Sequence, residues 1–96
     1  MPRKGEMSDV DKYEQAIIQN AEKFVVVSFR PGTSSKNRMA FENLDYAVEY
    51  GRQLLNDEVR IRAVMVYAID EDDHHALVGT INRHDMLWKE VKPKIY

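Results

Sequence analysis

The alternation of apolar and polar positions is clearest along residues 59–69, the longest stretch rich in β-branched and aromatic side chains. That composition favours a strand, in which successive side chains point to opposite faces. One face is apolar or amphipathic throughout and consists of Val59, Ile61, Ala63, Met65, Tyr67 and Ile69. The other face begins with two arginines, becomes apolar, and consists of Arg60, Arg62, Val64, Val66 and Ala68. The second half of this strand is therefore expected to be covered on both faces.

Four further elements follow from the same kind of pattern. Apolar residues at helical spacing predict one helix over residues 8–23 and a second, more regular helix over residues 39–55. Gly51 lies on the apolar stripe of the second helix, where the missing side chain allows helix and sheet to approach closely. Short apolar runs predict strands at residues 24–30 and 76–81.

These elements predict a small single α+β domain with the order α-β-α-β-β, extended by a short last helix over residues 82–93. The strand at 24–30, the second helix and the central strand form a β-α-β unit, whose two strands are expected to run parallel. The last strand returns across a tight turn as a hairpin partner, which gives a three-stranded mixed sheet. In this scheme the 39–55 helix packs on one face. The first helix and the Trp88 segment, or a second copy of the chain, cover the other.

Composition limits the classes of function. The chain has 96 residues, enough for one domain, which we place at residues 8–96 behind a flexible tail at residues 1–7. A formal charge of −2 argues against capture of nucleic acid by the whole domain, although it is compatible with a local basic patch. The absence of cysteine excludes thiolate catalysis and cysteine-ligated zinc. No apolar run has the length of a signal segment or a membrane span, so we expect a cytoplasmic protein without membrane contact.

The most suggestive polar stretch is the loop at residues 31–38, between a predicted strand and a predicted helix. Helix N-termini present unpaired N–H groups that favour anions. The candidate anion site consists of Gly32, Thr33, Ser34, Ser35, Lys36 and Arg38. It lacks the spacing of a P-loop. The alternative is a loop in which a serine or an asparagine only caps the helix.

A second group of basic residues is expected at the opposite end of the sheet. It consists of Lys23, Arg60, Arg62 and Arg83. Such a patch is a candidate surface for nucleic acid or for an acidic protein. The alternative is that these charges only keep the strand ends soluble.

Acidic residues and two histidines occupy the predicted turn at residues 70–75. Side chains of these types can bind metals, but neighbouring histidines on a strand point to opposite faces, and the spacing of a calcium loop is missing. We therefore predict a solvated turn and no metal site. Parallel strands would place this turn beside the loop at 31–38, where a basic residue of the loop could bind an anion while a histidine titrates.

The leading functional hypothesis is a non-catalytic binding or regulatory module that acts through protein contacts and self-associates as a homodimer. It is motivated by strands with two apolar faces in a short chain. The predicted interface consists of Val64, Val66, Trp88 and Tyr96. No set of nucleophile, base and oxyanion donors is apparent, so an enzyme is not the leading hypothesis, and no cofactor is expected. The alternatives are an anion-binding or enzymatic site at the 31–38 loop and nucleic-acid binding through Arg60, Arg62 and Arg83.

Overall fold

A computed structural model describes residues 9–32 and 38–91 of the chain. They form, in order, α1 (Asp9–Gln19), β1 (Lys23–Phe29), β2 (Arg38–Phe41), α2 (Leu44–Asp57), β3 (Ala63–Ile69), β4 (His75–Asn82) and β5 (Trp88–Glu90). The strands make one sheet in the spatial order β2-β1-β3-β4-β5, and every neighbouring pair is antiparallel. The predicted α+β class and the β3–β4 hairpin are confirmed, whereas the three-stranded mixed sheet is wrong. The tail predicted at residues 1–7 lies outside the described residues.

Strand β2 is one of two strands that the sequence pattern did not reveal. The start of the predicted 39–55 helix instead pairs with β1, with Val26 opposite Met39. Helix α2 begins only after Asn43, whose Oδ1 accepts a hydrogen bond from the N–H of Asp45 at 2.7 Å and so caps the helix. A short apolar run fits a helix and a strand equally well, so the pairing with β1 decides the outcome.

The parallel pairing predicted for β1 and β3 is wrong, because β2 reverses the chain before α2 begins. Strands β2 and β3 flank β1 and are each antiparallel to it, so they run parallel to one another. The β-α-β unit with parallel strands is therefore formed by β2, α2 and β3, and β1 lies between its two strands. As a result, the turn at Pro31 and Gly32 and the turn at residues 70–74 lie at opposite ends of the sheet rather than together.

Helix α2 covers one face of the sheet and forms the main core with it. The buried residues of this core are Val26, Ala47, Leu55, Ile61, Val64, Val66 and Ile81. Gly51 is the point of closest approach, because a Cβ added to it would lie 2.8 Å from Cγ1 of Val64. The position of Gly51 against the sheet agrees with the role that its place on the apolar stripe predicts.

Helix α1 lies on the same side of the sheet as α2. Ala68 and Ala76 face one another across β3 and β4, share the side of Val66, and are buried where α1 packs on these two strands. The ring of Tyr13 in α1 also contacts the ring of His74, with 5.7 Å between the centroids. The described part of the chain therefore has two layers, with both helices on one side of the sheet.

A turn and strand β5 replace the last helix predicted over residues 82–93. Met86 has a φ of 59°, a left-handed conformation that interrupts a helix. Trp88 then pairs opposite Ile81 and packs against the α2 side of the sheet. Its ring lies over Gly79, where an added Cβ would be 2.5 Å from the ring. The Trp88 segment therefore extends the sheet instead of covering its second face.

Replacement of Gly51 by alanine is expected to lower the free energy of unfolding by about 1 kcal/mol. The methyl group relieves a helix-propensity cost of about 1 kcal/mol, but it overpacks a buried contact, which costs about 1–3 kcal/mol. Denaturant titration measures the difference. In a Val64→Ala background the same replacement should become neutral or stabilising, because Cγ1 of Val64 is gone. A stabilising Gly51→Ala change in the wild-type background would argue against the close approach.

Candidate functional site

The sheet face opposite the two helices has an apolar floor, and we call it the open face. It is formed by Val25 and Val27 of β1 and by Met65, Tyr67 and Ile69 of β3. No described helix packs on it. The other face of β3, which carries Val64 and Val66 and follows Arg60 and Arg62 in the alternation, lies under α2.

A groove of about 310 Å³ crosses the open face near strand β2. It is lined by Lys23, Val25, Arg38, Met39, Ala40, Ile69, Asp73 and His75. A second hollow of about 200 Å³ shares Arg38 and His75 with it. The groove thus places the cations Lys23 and Arg38 and the imidazole of His75 near the carboxylate of Asp73, and most of its accessible lining is polar.

Only part of the predicted anion site can be placed. Gly32 is exposed with a φ of 82°, a conformation that favours glycine. Arg38 begins strand β2 rather than a helix, so the helix N-terminus expected beside the loop is not there. The other members lie outside the described residues: Thr33, Ser34, Ser35 and Lys36.

Arg38 and His75 both line the groove and the second hollow, although the turns that precede them lie at opposite ends of the sheet. The two neighbouring histidines point to opposite faces, as strand geometry predicts. His75 lines the groove and places Nε2 3.4 Å from Oδ1 of Asp73, while His74 contacts Tyr13 on the helix side. An anion site shared by a basic residue of the 31–38 loop and a histidine of the turn therefore stays a prediction.

Asp70 organises the acidic turn between β3 and β4. Its Oδ1 accepts hydrogen bonds from the N–H groups of Asp72 at 3.0 Å and His74 at 2.9 Å, and its Oδ2 lies 3.2 Å from Nδ1 of His74. Desolvation raises the pKa of Asp70, but the hydrogen bonds with His74 and Asp72 outweigh it and leave the pKa below the ordinary 3.8. The ligand atoms of these three residues lie within 4.8 Å of one another. The contacts that shape the turn account for this cluster.

The antiparallel topology divides the predicted basic patch. Lys23 pairs opposite Ile69 at one end of the sheet. Arg60, Arg62 and Arg83 belong to the other end, where the N–H of Arg83 donates to the carbonyl of Arg62. The four residues therefore do not form one surface.

Arg83 is engaged with the main chain through its guanidinium group. Its Nε donates to the carbonyl of Ile61 at 2.6 Å, and its Nη2 donates to those of Leu55 at 2.6 Å and Glu58 at 2.5 Å. These carbonyls end α2 and begin the turn after it, where backbone acceptors lack helical partners. Arg83 thus caps the C-terminal end of α2 with side-chain hydrogen bonds. Nucleic-acid binding would depend on the exposed Arg60 and Arg62.

The predicted interface residues lie mostly in the core. Val64 and Val66 are 0 % exposed beneath α2. Trp88 is half-buried against the same cluster, and Tyr96 lies outside the described residues. The side of the central strand that we expected to meet a partner is therefore covered by the chain's own helix.

The exposed edge of the sheet at β2 was not predicted from the sequence. Strand β2 is the first in the sheet order, and Arg38, Met39 and Ala40 are all exposed. The available signal was Asn43 followed by Asp45, a helix start that leaves the preceding residues free to form a strand.

The fold defines a two-layer α+β sandwich with an open sheet face and an exposed edge strand. Comparison with protein-family models, curated proteins and solved structures finds no match to the chain. Within the described ranges, no helix has the length and apolarity needed to cross a membrane.

Replacement of Arg83 by alanine is expected to lower the free energy of unfolding by about 2–3 kcal/mol, because three main-chain carbonyls lose a charged donor. Arg83→Lys should recover only a minor part of this loss, since an ammonium lacks the planar fork of a guanidinium. The matched control is Arg60→Ala, at an exposed arginine of the same end, with an expected change under about 0.5 kcal/mol. Urea denaturation compares the three variants. Equal, small effects at both positions would show that the carbonyl contacts contribute nothing.

Proposed function

We propose that the chain is a non-catalytic binding module that acts through contacts with protein, including a second copy of itself. The observation that carries the proposal is the exposed edge strand β2. In the described part of the chain, β2 has a strand neighbour on one side only. Met39 is 46 % exposed, and Arg38 and Ala40 are exposed as well. The free N–H and C=O groups of such an edge pair readily with another strand.

The open face supports the same proposal because it adds apolar surface next to this edge. Phe29, at the end of β1, is 48 % exposed and lies on the side of Val27 and Met65. Exposed apolar side chains such as Phe29 are typical of interaction sites, whereas Val25, Val27 and Ile69 of the same face are buried. A partner that pairs with β2 would reach this face without any rearrangement of the sheet.

The polar side chains best suited to chemistry are engaged in structural contacts, which favours binding over catalysis. His74 and Asp70 hold the β3–β4 turn together. Arg83 holds the end of α2. A general base must be free to reach a substrate proton, whereas these groups stabilise the fold.

Self-association is tested by light scattering on the full chain across a concentration series from low to high micromolar. The expected mass at the upper end is twice the 11.2 kDa of one chain. The mass should decrease toward that of one chain on dilution if the dimer is weak. A single-chain mass at every concentration would remove self-association from the proposal.

A second candidate function is favoured by the groove on the open face. Lys23, Arg38 and His75 line it together with Asp73, and two cations beside an imidazole suit a small anion. This function does not exclude the first, because the groove and the β2 edge share Arg38.

A thermal-shift series with inorganic phosphate, a short-chain carboxylate and a long-chain carboxylate tests the groove. An anion that binds in the groove should raise Tm, since a ligand at one hundred times its Kd stabilises the folded state by about 2.7 kcal/mol. The rise should be lost in the double variant Lys23→Ala/His75→Ala and retained in Arg60→Ala. Equal shifts in both variants, or none with any ligand, would count against binding in the groove.

A further inference from the structure

The two edge strands of the sheet, β2 and β5, differ in how readily each can pair with a strand of another molecule. The edge strand β5 has only three residues, and two of them are the charged Lys89 and Glu90. Short, charged edges of this kind discourage contact with another strand. The edge strand β2 has three apolar residues out of four and is largely exposed. Pairing between molecules is therefore expected at β2.

Residues 38–42 are arranged so that the segment complements itself. Arg38 precedes and Glu42 follows the apolar core Met39, Ala40 and Phe41. When two copies pair antiparallel about a twofold axis at Ala40, Ala40 faces Ala40, Met39 faces Phe41, and Arg38 faces Glu42. Both charged contacts are then between opposite charges. Within the described residues, neither Arg38 nor Glu42 takes part in an ion pair of its own chain.

Aromatic side chains of α2 extend this edge on the helix side of the sheet. Phe41 points to that side, because it pairs opposite the core residue Phe24. Its ring packs on Tyr50 with 5.2 Å between centroids, and Tyr46, one turn earlier in α2, is 69 % exposed. A second copy paired at β2 would cover this aromatic surface. Tyrosine and phenylalanine are enriched in such interfaces.

We infer that two copies of the chain join through antiparallel pairing of their β2 strands, centred on Ala40, into one continuous sheet of ten strands. The inference rests on the self-association proposed above and adds its surface, symmetry and register. A twofold axis perpendicular to the sheet keeps both open faces on the same side. The groove beside β2 in one copy therefore adjoins that of the other.

Cysteine cross-linking tests the register directly. The natural chain has no cysteine, so Ala40→Cys introduces a single thiol at an exposed position. Residues opposite one another in an antiparallel pair have Cα atoms about 4.5–5.5 Å apart, inside the range of about 4.4–6.8 Å that a disulfide needs. Mild oxidation of the full-length variant should give a covalent dimer in most of the protein. Gln53→Cys, at an exposed position of α2, is the matched control and should stay largely uncrosslinked.

Charge reversal supplies an independent test that does not depend on oxidation. Arg38→Glu and Glu42→Arg each place like charges opposite one another twice per dimer. Each change should raise the dimer Kd at least about tenfold in sedimentation equilibrium. The double variant Arg38→Glu/Glu42→Arg exchanges the two charges and should restore the wild-type Kd. Arg60→Glu, at an exposed site outside the edge, controls for net charge and should leave the Kd unchanged.

The outcomes separate this inference from the function on which it rests. A wild-type chain that remains monomeric overturns both this pairing and the self-association on which it rests. A wild-type dimer in which Ala40→Cys crosslinks no better than Gln53→Cys, or in which the double charge variant fails to restore the Kd, overturns the β2 register and leaves self-association standing. Efficient crosslinking together with restoration of the Kd supports the pairing at Ala40.

Discussion

The pairing of β2 with β1 is the contact on which the rest of the structure depends. It reverses the chain before α2 begins, so that α2 returns to the opposite side of β1 and makes β3 antiparallel to it. The turn at Pro31 and Gly32 and the turn at residues 70–74 are thereby separated to opposite ends of the sheet. The same pairing leaves the outer side of β2 at the margin of the sheet. One hairpin thus determines the topology and the surface that is available to a partner.

The helices cover the sheet from one side, and a few local contacts maintain this arrangement. Gly51 allows α2 to lie close to Val64, and Arg83 binds the carbonyls at the end of α2. Ala68 and Ala76 have small side chains where α1 packs. Since these residues serve the core, the surface that remains for recognition is the open face and the β2 edge. Among the polar residues that were notable in the sequence, Arg83, Asp70 and His74 contribute to the fold.

Features set by local sequence could be predicted, and features set by distant pairing could not. The β3–β4 hairpin follows from two apolar runs around an acidic turn, and the opposite orientation of the two histidines follows from strand geometry. Met39 to Phe41 fits both helical and strand spacing, so only its partner across the loop decides its structure. The central strand shows two apolar faces in its sequence, but the pattern cannot say which one a helix covers. For that reason Val64 and Val66, which we expected at an interface, belong to the core, and the partner surface that we propose lies at the edge.

The most direct test of this account is the proton NMR contact map of the β1–β2 hairpin. The register predicts cross-strand nuclear Overhauser contacts between Val26 and Met39 and between Phe24 and Phe41, with strong sequential Hα–HN contacts along residues 38–41. Helical HN–HN and i to i+3 contacts should begin only after Asn43. A continuous helical pattern from residue 39 onward, without contacts to β1, would contradict the strand, the antiparallel topology that depends on it, and the edge at which we place the partner.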